Sequence, residues 1–189
     1  SLGVADDLSV TGSLLVAVDQ NFIAQATFSL PTTTQDVNDG TINLTGASVL
    51  VFELTAAAVW AGTGFALNGP VGSRTIDNSD ATGFEATNVT IELVIVNEMT
   101  TGPPANGWSA VYVAMGSVTP VGLPADLAFT FTNVTFGISV AAADDSKIDW
   151  TALNGTAAGQ IATLPSNIAT FDALYGIAFG GSVEIAVDG

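Results

Sequence analysis

Apolar and polar residues alternate with a period of two along most of this chain, which is the pattern of β-strands whose two faces meet different surroundings. The segment Asn88–Asn97 shows the alternation most clearly, with Val89, Ile91 and Leu93 on one side. β-branched and aromatic residues, which favour strands, fill the other candidate segments. These further predicted strands are Leu8–Asp19, Asn21–Leu30, Thr41–Thr55, Val59–Leu67, Trp108–Val118, Leu127–Val140 and Leu174–Asp188.

The alternation changes phase inside Leu127–Val140, near Asn133. Phe129 and Phe131 are assigned to one face of this strand, and the later apolar positions, beginning with Val134 and Phe136, are assigned to the other. Such a change predicts either a β-bulge or a strand that passes between two environments.

Turn signals separate the predicted strands. Asp39-Gly40 and Asn68-Gly69 are dipeptides that tolerate a positive φ, and prolines such as Pro31 and Pro120 are assigned to connections. Ser166–Asp172 is the one segment predicted to form a turn or two of helix. We therefore predict an all-β fold, either an antiparallel β-sandwich or an elongated stacked-sheet module with long strands, in which residues 1–189 form a single module.

Two internal repeats stand out. Residues 12–19 (GSLLVAVD) and 181–188 (GSVEIAVD) share five of eight positions at an offset of 169 residues, so the last strand resembles the first strand of a following unit. The tetrapeptide Thr-Asn-Val-Thr occurs at 87–90 and again at 132–135. The chain is therefore a candidate tandem repeat unit with a period of about 169 residues. It begins with Ser1 rather than Met, as expected of a processed or excised product.

Composition and charge narrow the function. The 189 residues include 18 acidic and 2 basic residues, no His and no Cys, and the formal net charge is −16. A chain whose basic residues are Arg74 and Lys147 cannot neutralise a nucleic-acid backbone or an anionic membrane surface. Without His and Cys, zinc sites, disulfides and His-activated nucleophiles are excluded. Thr, Gly, Asn and Ser interrupt every apolar run, so no transmembrane segment is predicted.

Glutamates within strands raise the question of carboxylate catalysis. Glu53, Glu92 and Glu184 recur at similar positions in their strand motifs, which favours a solvated outer face that keeps strand edges from pairing with stray partners. A carboxylate-only hydrolase is the less favoured alternative. We therefore predict no catalytic residues. The tryptophans and tyrosines are widely spaced, which favours core or sheet-face positions over a sugar-binding platform.

Aspartates cluster in loops. Asp36 and Asp39 form one candidate metal site, and Asp144 and Asp145 form a second, because closely spaced loop carboxylates can converge on a hard cation. Calcium is the candidate cofactor. The alternative is an Asx-rich turn in which each side chain bonds its own backbone.

The segment Trp108–Ala143, the motif Ile148-Asp149-Trp150-Thr151-Ala152-Leu153 and the closing run 180–189 (GGSVEIAVDG) resemble tandem units of giant acidic repetitive bacterial proteins. Those are cell-surface or secreted chains described as hemolysin-type or calcium-binding adhesins. The resemblance covers mainly the C-terminal half. The Gly-Gly-x-Gly-x-Asp nonapeptides that hold Ca²⁺ in a β-roll are absent, so no calcium ligand is transferred.

This resemblance implies a repetitive extracellular role without catalysis. We expect a structural module of an extracellular fibre, sheath or adhesin stalk, which forms a homo-oligomer or polymer through strand-edge contacts with identical units. The alternative is a ligand-binding adhesin module for calcium or carbohydrate.

Overall fold

The computed structural model describes residues 8–18, 22–70, 74–99, 106–124 and 127–187. Within these ranges the chain is all-β, as predicted. The strands are β1 (Leu8–Val18), β2 (Phe22–Asn38), β3 (Asn43–Thr63), β4 (Ala66–Asn68), β5 (Thr75–Asp77), β6 (Thr82–Asn97), β7 (Gly107–Val121), β8 (Leu127–Val140) and β9 (Ile177–Val187). Two short 3-10 turns, Trp150–Leu153 and Ile168–Thr170, complete the regular structure of the described ranges, and the second falls inside the predicted helical segment.

The seven long strands form one antiparallel sheet in the order β1-β2-β3-β6-β7-β8-β9. The small hairpin β4–β5 is inserted between β3 and β6, so each long strand pairs with the next long strand along the chain. The sheet is therefore an open meander. The first and the last strand of the described chain are its two edges.

Several strands extend beyond their predicted bounds. β2 continues through Pro31 to Asn38, and β7 continues through Pro120, although both prolines were expected in connections. Each proline removes one backbone donor, and the pairing on either side of it in strands of 17 and 15 residues outweighs that loss. Part of the predicted strand Val59–Leu67 belongs to the end of β3. The predicted ends at Asp19, Asn21 and Asp188 lie outside the described residues.

One face of the large sheet is covered by other parts of the chain, and we call it the covered face. The segment 141–176 packs over one end of this face, where its Trp150, Ile168 and Phe171 meet Val94 and Val96 of β6 in a buried cluster. The β4–β5 hairpin covers the other end through a smaller cluster that contains Trp60, Phe65 and Ile76. We call the opposite side of the sheet the bare face.

Two β-bulges explain the repeated Thr-Asn-Val-Thr tetrapeptide. Asn88 in β6 and Asn133 in β8 have φ angles of 53° and 52°, and the strand register shifts beside each of them. Asparagine is one of the few residues that adopts a positive φ readily, so the repeat encodes the same local geometry twice. The bulge predicted near Asn133 is confirmed.

The assignment of the β8 phenylalanines to opposite faces is wrong. Phe131 pairs with Val183 and Phe136 pairs with Phe179. Because these partners are four residues apart in β9, both lie on the same side, and cross-strand partners share a face. The extra residue of the bulge absorbs the change of phase and keeps both phenylalanines on the bare face. The side chain of Phe129 lies outside the described part of the chain.

Candidate functional site

The two edges of the sheet are equivalent in direction and in face. Six antiparallel steps separate β1 from β9, so both strands run the same way. A continuous row of cross-strand partners on the bare face joins them, in the order Gly12, Phe28, Leu54, Ile91, Val113, Phe136 and Phe179. The sequence repeat matches Gly12 to Gly181, two residues beyond Phe179 and hence on the same face. One repeat period thus contains six strands of the large sheet, and an even number preserves both direction and facing.

Strand β9 leaves its apolar side chains in solvent. Phe179 is 77%, Ile185 66% and Ile177 61% exposed. Among the described residues no strand lies against the outer edge of β9 or of β1. An apolar edge strand of this kind is a template for pairing with another chain.

Glycine 12 shows how an edge position is matched to its neighbour. A Cβ atom at Gly12 would lie 3.3 Å from the Phe28 ring. Because glycine has no side chain, the Phe28 ring of β2 has room beside β1. The repeat carries a glycine, Gly181, at the equivalent position of β9.

A row of polar side chains crosses the covered face. Glu53 of β3 pairs with Glu92 of β6, Glu92 pairs with Tyr112 of β7, and Tyr112 pairs with Gly137 of β8. Cross-strand pairing puts these side chains side by side on one face. Segment 141–176 lies over this row.

Glu92 is buried, with 4% of its surface exposed, and this corrects the solvated position predicted for it. Asn167 Nδ2 donates to its Oε1 at 2.6 Å, and the backbone N–H of Ile168 donates to its Oε2 at 3.2 Å. Both donors belong to segment 141–176. The Glu92 carboxylate therefore holds segment 141–176 on the sheet, and both of its oxygens accept hydrogen bonds from that segment. Glu184, in contrast, is exposed as predicted.

The neighbours of Glu92 respond to its charge. Burial, with the charge of Glu92 added to it, raises the pKa of Glu53. Burial also raises the pKa of Tyr112, and the nearby Glu92 and Tyr175 add to this shift. Phe171 and Tyr175 stack at 3.7 Å between ring centroids above Gly137, where a Cβ atom would overlap the Tyr175 hydroxyl. The side chains of this row pack together, and Glu92 anchors segment 141–176. The nearby charge of Glu92 disfavours the ionised form of Glu53.

Of the predicted metal residues, Asp39 bonds three backbone amides. Its Oδ1 accepts from Thr41 N at 2.8 Å and from Ile42 N at 2.6 Å, and its Oδ2 accepts from Asp149 N at 2.9 Å. Asp36 Oδ1 accepts from Gly46 N at 2.9 Å, beside a register shift between β2 and β3. The first pair of aspartates thus stabilises the β2–β3 turn and links it to segment 141–176.

The second pair lies in the turn after β8. Asp144 Oδ1 accepts from the backbone N of Ser146 at 3.0 Å and from its hydroxyl, and these bonds lower the pKa of Asp144. Asp145 adopts a positive φ of 64° and donates its N–H to Ala142 O. Among the described residues, no group of three or more acidic side chains is arranged to hold a metal ion. The calcium site stays a prediction.

The aromatic residues lie where the sequence indicated. Trp60, Trp108 and Trp150 are buried in the clusters of the covered face. Trp108 Nε1 donates to Ser146 O and Trp150 Nε1 donates to Ser139 Oγ. The tryptophans therefore belong to the core and offer no exposed platform.

Comparison of the chain with protein-family models, curated proteins and solved structures found no match. In the part of the chain that the structure describes, no helix is long and apolar enough to cross a membrane.

Proposed function

We propose that this chain is a non-enzymatic structural module of an extracellular or cell-surface fibre, sheath or adhesin stalk, and that it assembles with identical units through the edges of its sheet. One observation carries the proposal: the first and last strands are the two edges, run in the same direction, present the same face and share a sequence motif 169 residues apart. Each unit contributes six strands to a continuing antiparallel sheet.

In such an assembly, β9 of one unit takes the role that β1 has in the next. Strand β2 pairs with β1 and β3 within its own chain, so β9 of the first unit pairs with β2 of the neighbouring unit by displacing the neighbour's β1. Gly181 then gives the neighbour's Phe28 the room that Gly12 gives it within one chain. Strand addition of this kind derives affinity from main-chain hydrogen bonds and specificity from side-chain fit. Apolar residues of β9 that are exposed in one unit become covered by the next.

The acidic composition supports a location outside the cell, as the resemblance to acidic repetitive surface proteins implies. Catalysis finds no support in the carboxylate pair, because both oxygens of Glu92 accept hydrogen bonds from the protein itself.

The edge contact is tested with lysines on β9. Ala178 and Ala186 are exposed on its covered-face side, and lysine on an edge strand opposes strand addition. The control is Thr55→Lys, which adds one lysine at an exposed position of the interior strand β3. Sedimentation velocity and electron microscopy should show elongated oligomers for the wild type and the control, and the loss of elongation in Ala178→Lys/Ala186→Lys.

Elongated oligomers of the double variant at wild-type levels would contradict the proposal. So would a wild-type protein that does not elongate at about 100 μM, a concentration well above the dissociation constants of specific interfaces. A fused array of three units should also melt at a higher temperature than one unit, because each added interface contributes stability.

A further inference from the structure

We infer that the bare face of the large sheet is a second interface, at which two copies of this chain pack face to face into a β-sandwich. This contact differs from the edge contact proposed above, because it buries side chains on the broad face of β3 and β6–β9 and does not pair the backbone of an edge strand.

Strand β6 shows that the bare face is built to be covered. Its residues alternate between buried and half-buried, with Val94 and Val96 fully buried beneath segment 141–176 while Leu93 and Ile95 point the other way. All four are large and apolar. A strand with one solvated side would carry polar residues there, whereas apolar residues on both sides are typical of a strand that is covered on both.

The same apolar character extends across the sheet. One shallow depression on the bare face is lined by Phe84, Met115, Val118, Phe131 and Val134. A second depression next to it reaches Gly180 and Val183 of β9. The apolar surface is therefore continuous from the middle of the sheet to the β9 edge.

Among the described residues, no other segment packs over this face, and its buried residues, such as Leu54 and Val89, are covered by neighbouring side chains of the same sheet face. The two covering parts, segment 141–176 and the β4–β5 hairpin, both lie on the opposite side.

Charge favours a second copy as the occupant. The glutamates of the large sheet, Glu53, Glu85, Glu92 and Glu184, all lie on the covered-face side, since each pairs across or alternates with residues of that side. The bare face of β3 and β6–β9 is uncharged. Two chains of net charge −16 can therefore meet there without bringing carboxylates together, whereas a basic partner would be drawn to the other side.

The size of the face also suits a stable dimer. Five strands about 4.8 Å apart span about 24 Å, and ten residues along each strand span about 33 Å, which gives a footprint of about 800 Å². A standard protein interface buries about 800 Å² on each partner. A two-fold axis through the sheet would place the same rows against each other, at the spacing of about 10 Å that separates packed sheets.

The absence of cysteine from the sequence permits a direct test. Val113→Cys places one thiol at the centre of the bare face, and Thr55→Cys places one on the opposite side of the sheet. Both changes are made in the Ala178→Lys/Ala186→Lys background, so that edge assembly does not contribute. We expect this background to sediment as a dimer, and a short bis-maleimide to cross-link Val113→Cys at least ten times more efficiently than Thr55→Cys.

A second variant checks the interface without a cross-linker. Val111→Glu introduces a carboxylate on the bare face, and Thr55→Glu introduces one on the other side. We expect Val111→Glu to be monomeric with a far-ultraviolet circular dichroism spectrum like that of the background, and Thr55→Glu to remain dimeric.

Some outcomes would overturn the inference. They are a monomeric background protein at about 100 μM, equal cross-linking of the two cysteines, or a Val113→Cys thiol that becomes shielded only when phosphatidylcholine vesicles are added, which would assign the face to lipid. A background protein that still elongates would count against the edge contact instead, so the two proposals fail in different ways.

Discussion

Replacing Glu92 with alanine tests whether one buried carboxylate holds segment 141–176 on the sheet. The change removes an acceptor of two hydrogen bonds, from Asn167 Nδ2 and from the Ile168 N–H. Hydrogen bonds to a charged group contribute about 1.5–3 kcal/mol each, and the Ile168 N–H would be left buried without a partner. Removing the charge opposite Glu53 returns about 0.5 kcal/mol. We expect a net loss of about 3 kcal/mol in the free energy of unfolding.

Urea unfolding followed by tryptophan fluorescence measures this loss, because Trp150 belongs to this segment and is fully buried in the cluster between the segment and the sheet. For a chain of this length the melting temperature should fall by about 6–12 °C. Amide hydrogen exchange should speed up most at Ile168, whose N–H donates to Glu92, and at Phe171, whose N–H closes the second 3-10 turn. Glu92→Gln keeps one acceptor oxygen and should lose only about 1 kcal/mol.

Glu184→Ala is the control, because Glu184 is exposed on β9, and it should change stability by less than about 0.5 kcal/mol. A loss below about 1 kcal/mol in Glu92→Ala would refute the anchoring role. A full loss of stability with exchange accelerated equally in all strands would also refute it, since the segment would then not be the part released.

Three further outcomes are expected. The raised pKa of Glu53 means that the folded protein favours the protonated form of this side chain. The contribution of Glu53 to stability is therefore greatest below pH 4 and declines as the pH rises through the raised value. In urea titrations, Glu53→Gln should raise the free energy of unfolding by about 0.5 kcal/mol at pH 7 and leave it unchanged at pH 4. Asn133→Ala should lose about 1 kcal/mol because alanine resists the positive φ, while Asn133→Gly should match the wild type in the same assay. Asp39→Ala should lose about 2 kcal/mol through its three backbone bonds, and if Asp36 and Asp39 hold calcium, EDTA should lower the wild-type melting temperature and leave that of the variant unchanged.

The strands could be predicted from the sequence because alternation is a local property. A period of two indicates the two faces of a strand whatever lies beyond it, and the match between residues 12–19 and 181–188 pointed to equivalent terminal strands. Strand ends were harder to predict. Pro31 and Pro120 suggested connections, yet pairing with neighbours far along the chain carries both strands past them.

The buried position of Glu92 could not be predicted from the sequence in the same way. Alternation separates the two faces of β6 but does not indicate which face another segment will cover. Segment 141–176 has little regular structure, so no strand or helix pattern predicts that it packs on the sheet. A signal was present in its apolar residues, since Ile161, Leu164, Ile168 and Phe171 recur at intervals of three to four without forming a strand or a long helix. Such spacing in an irregular segment indicates that it packs on something.

The distribution of charge and apolar surface connects the two interfaces. The bare face of β3 and β6–β9 is uncharged and apolar, while the glutamates of the large sheet, including Glu184 of the edge strand β9, lie on the covered-face side. Repulsion between chains of net charge −16 opposes every association that brings those carboxylates close, and ions at physiological strength screen it beyond about 8 Å. The apolar surfaces gain free energy on burial without that penalty. This distribution of charge therefore supports the two contacts proposed above, one at the sheet edges and one at the bare face.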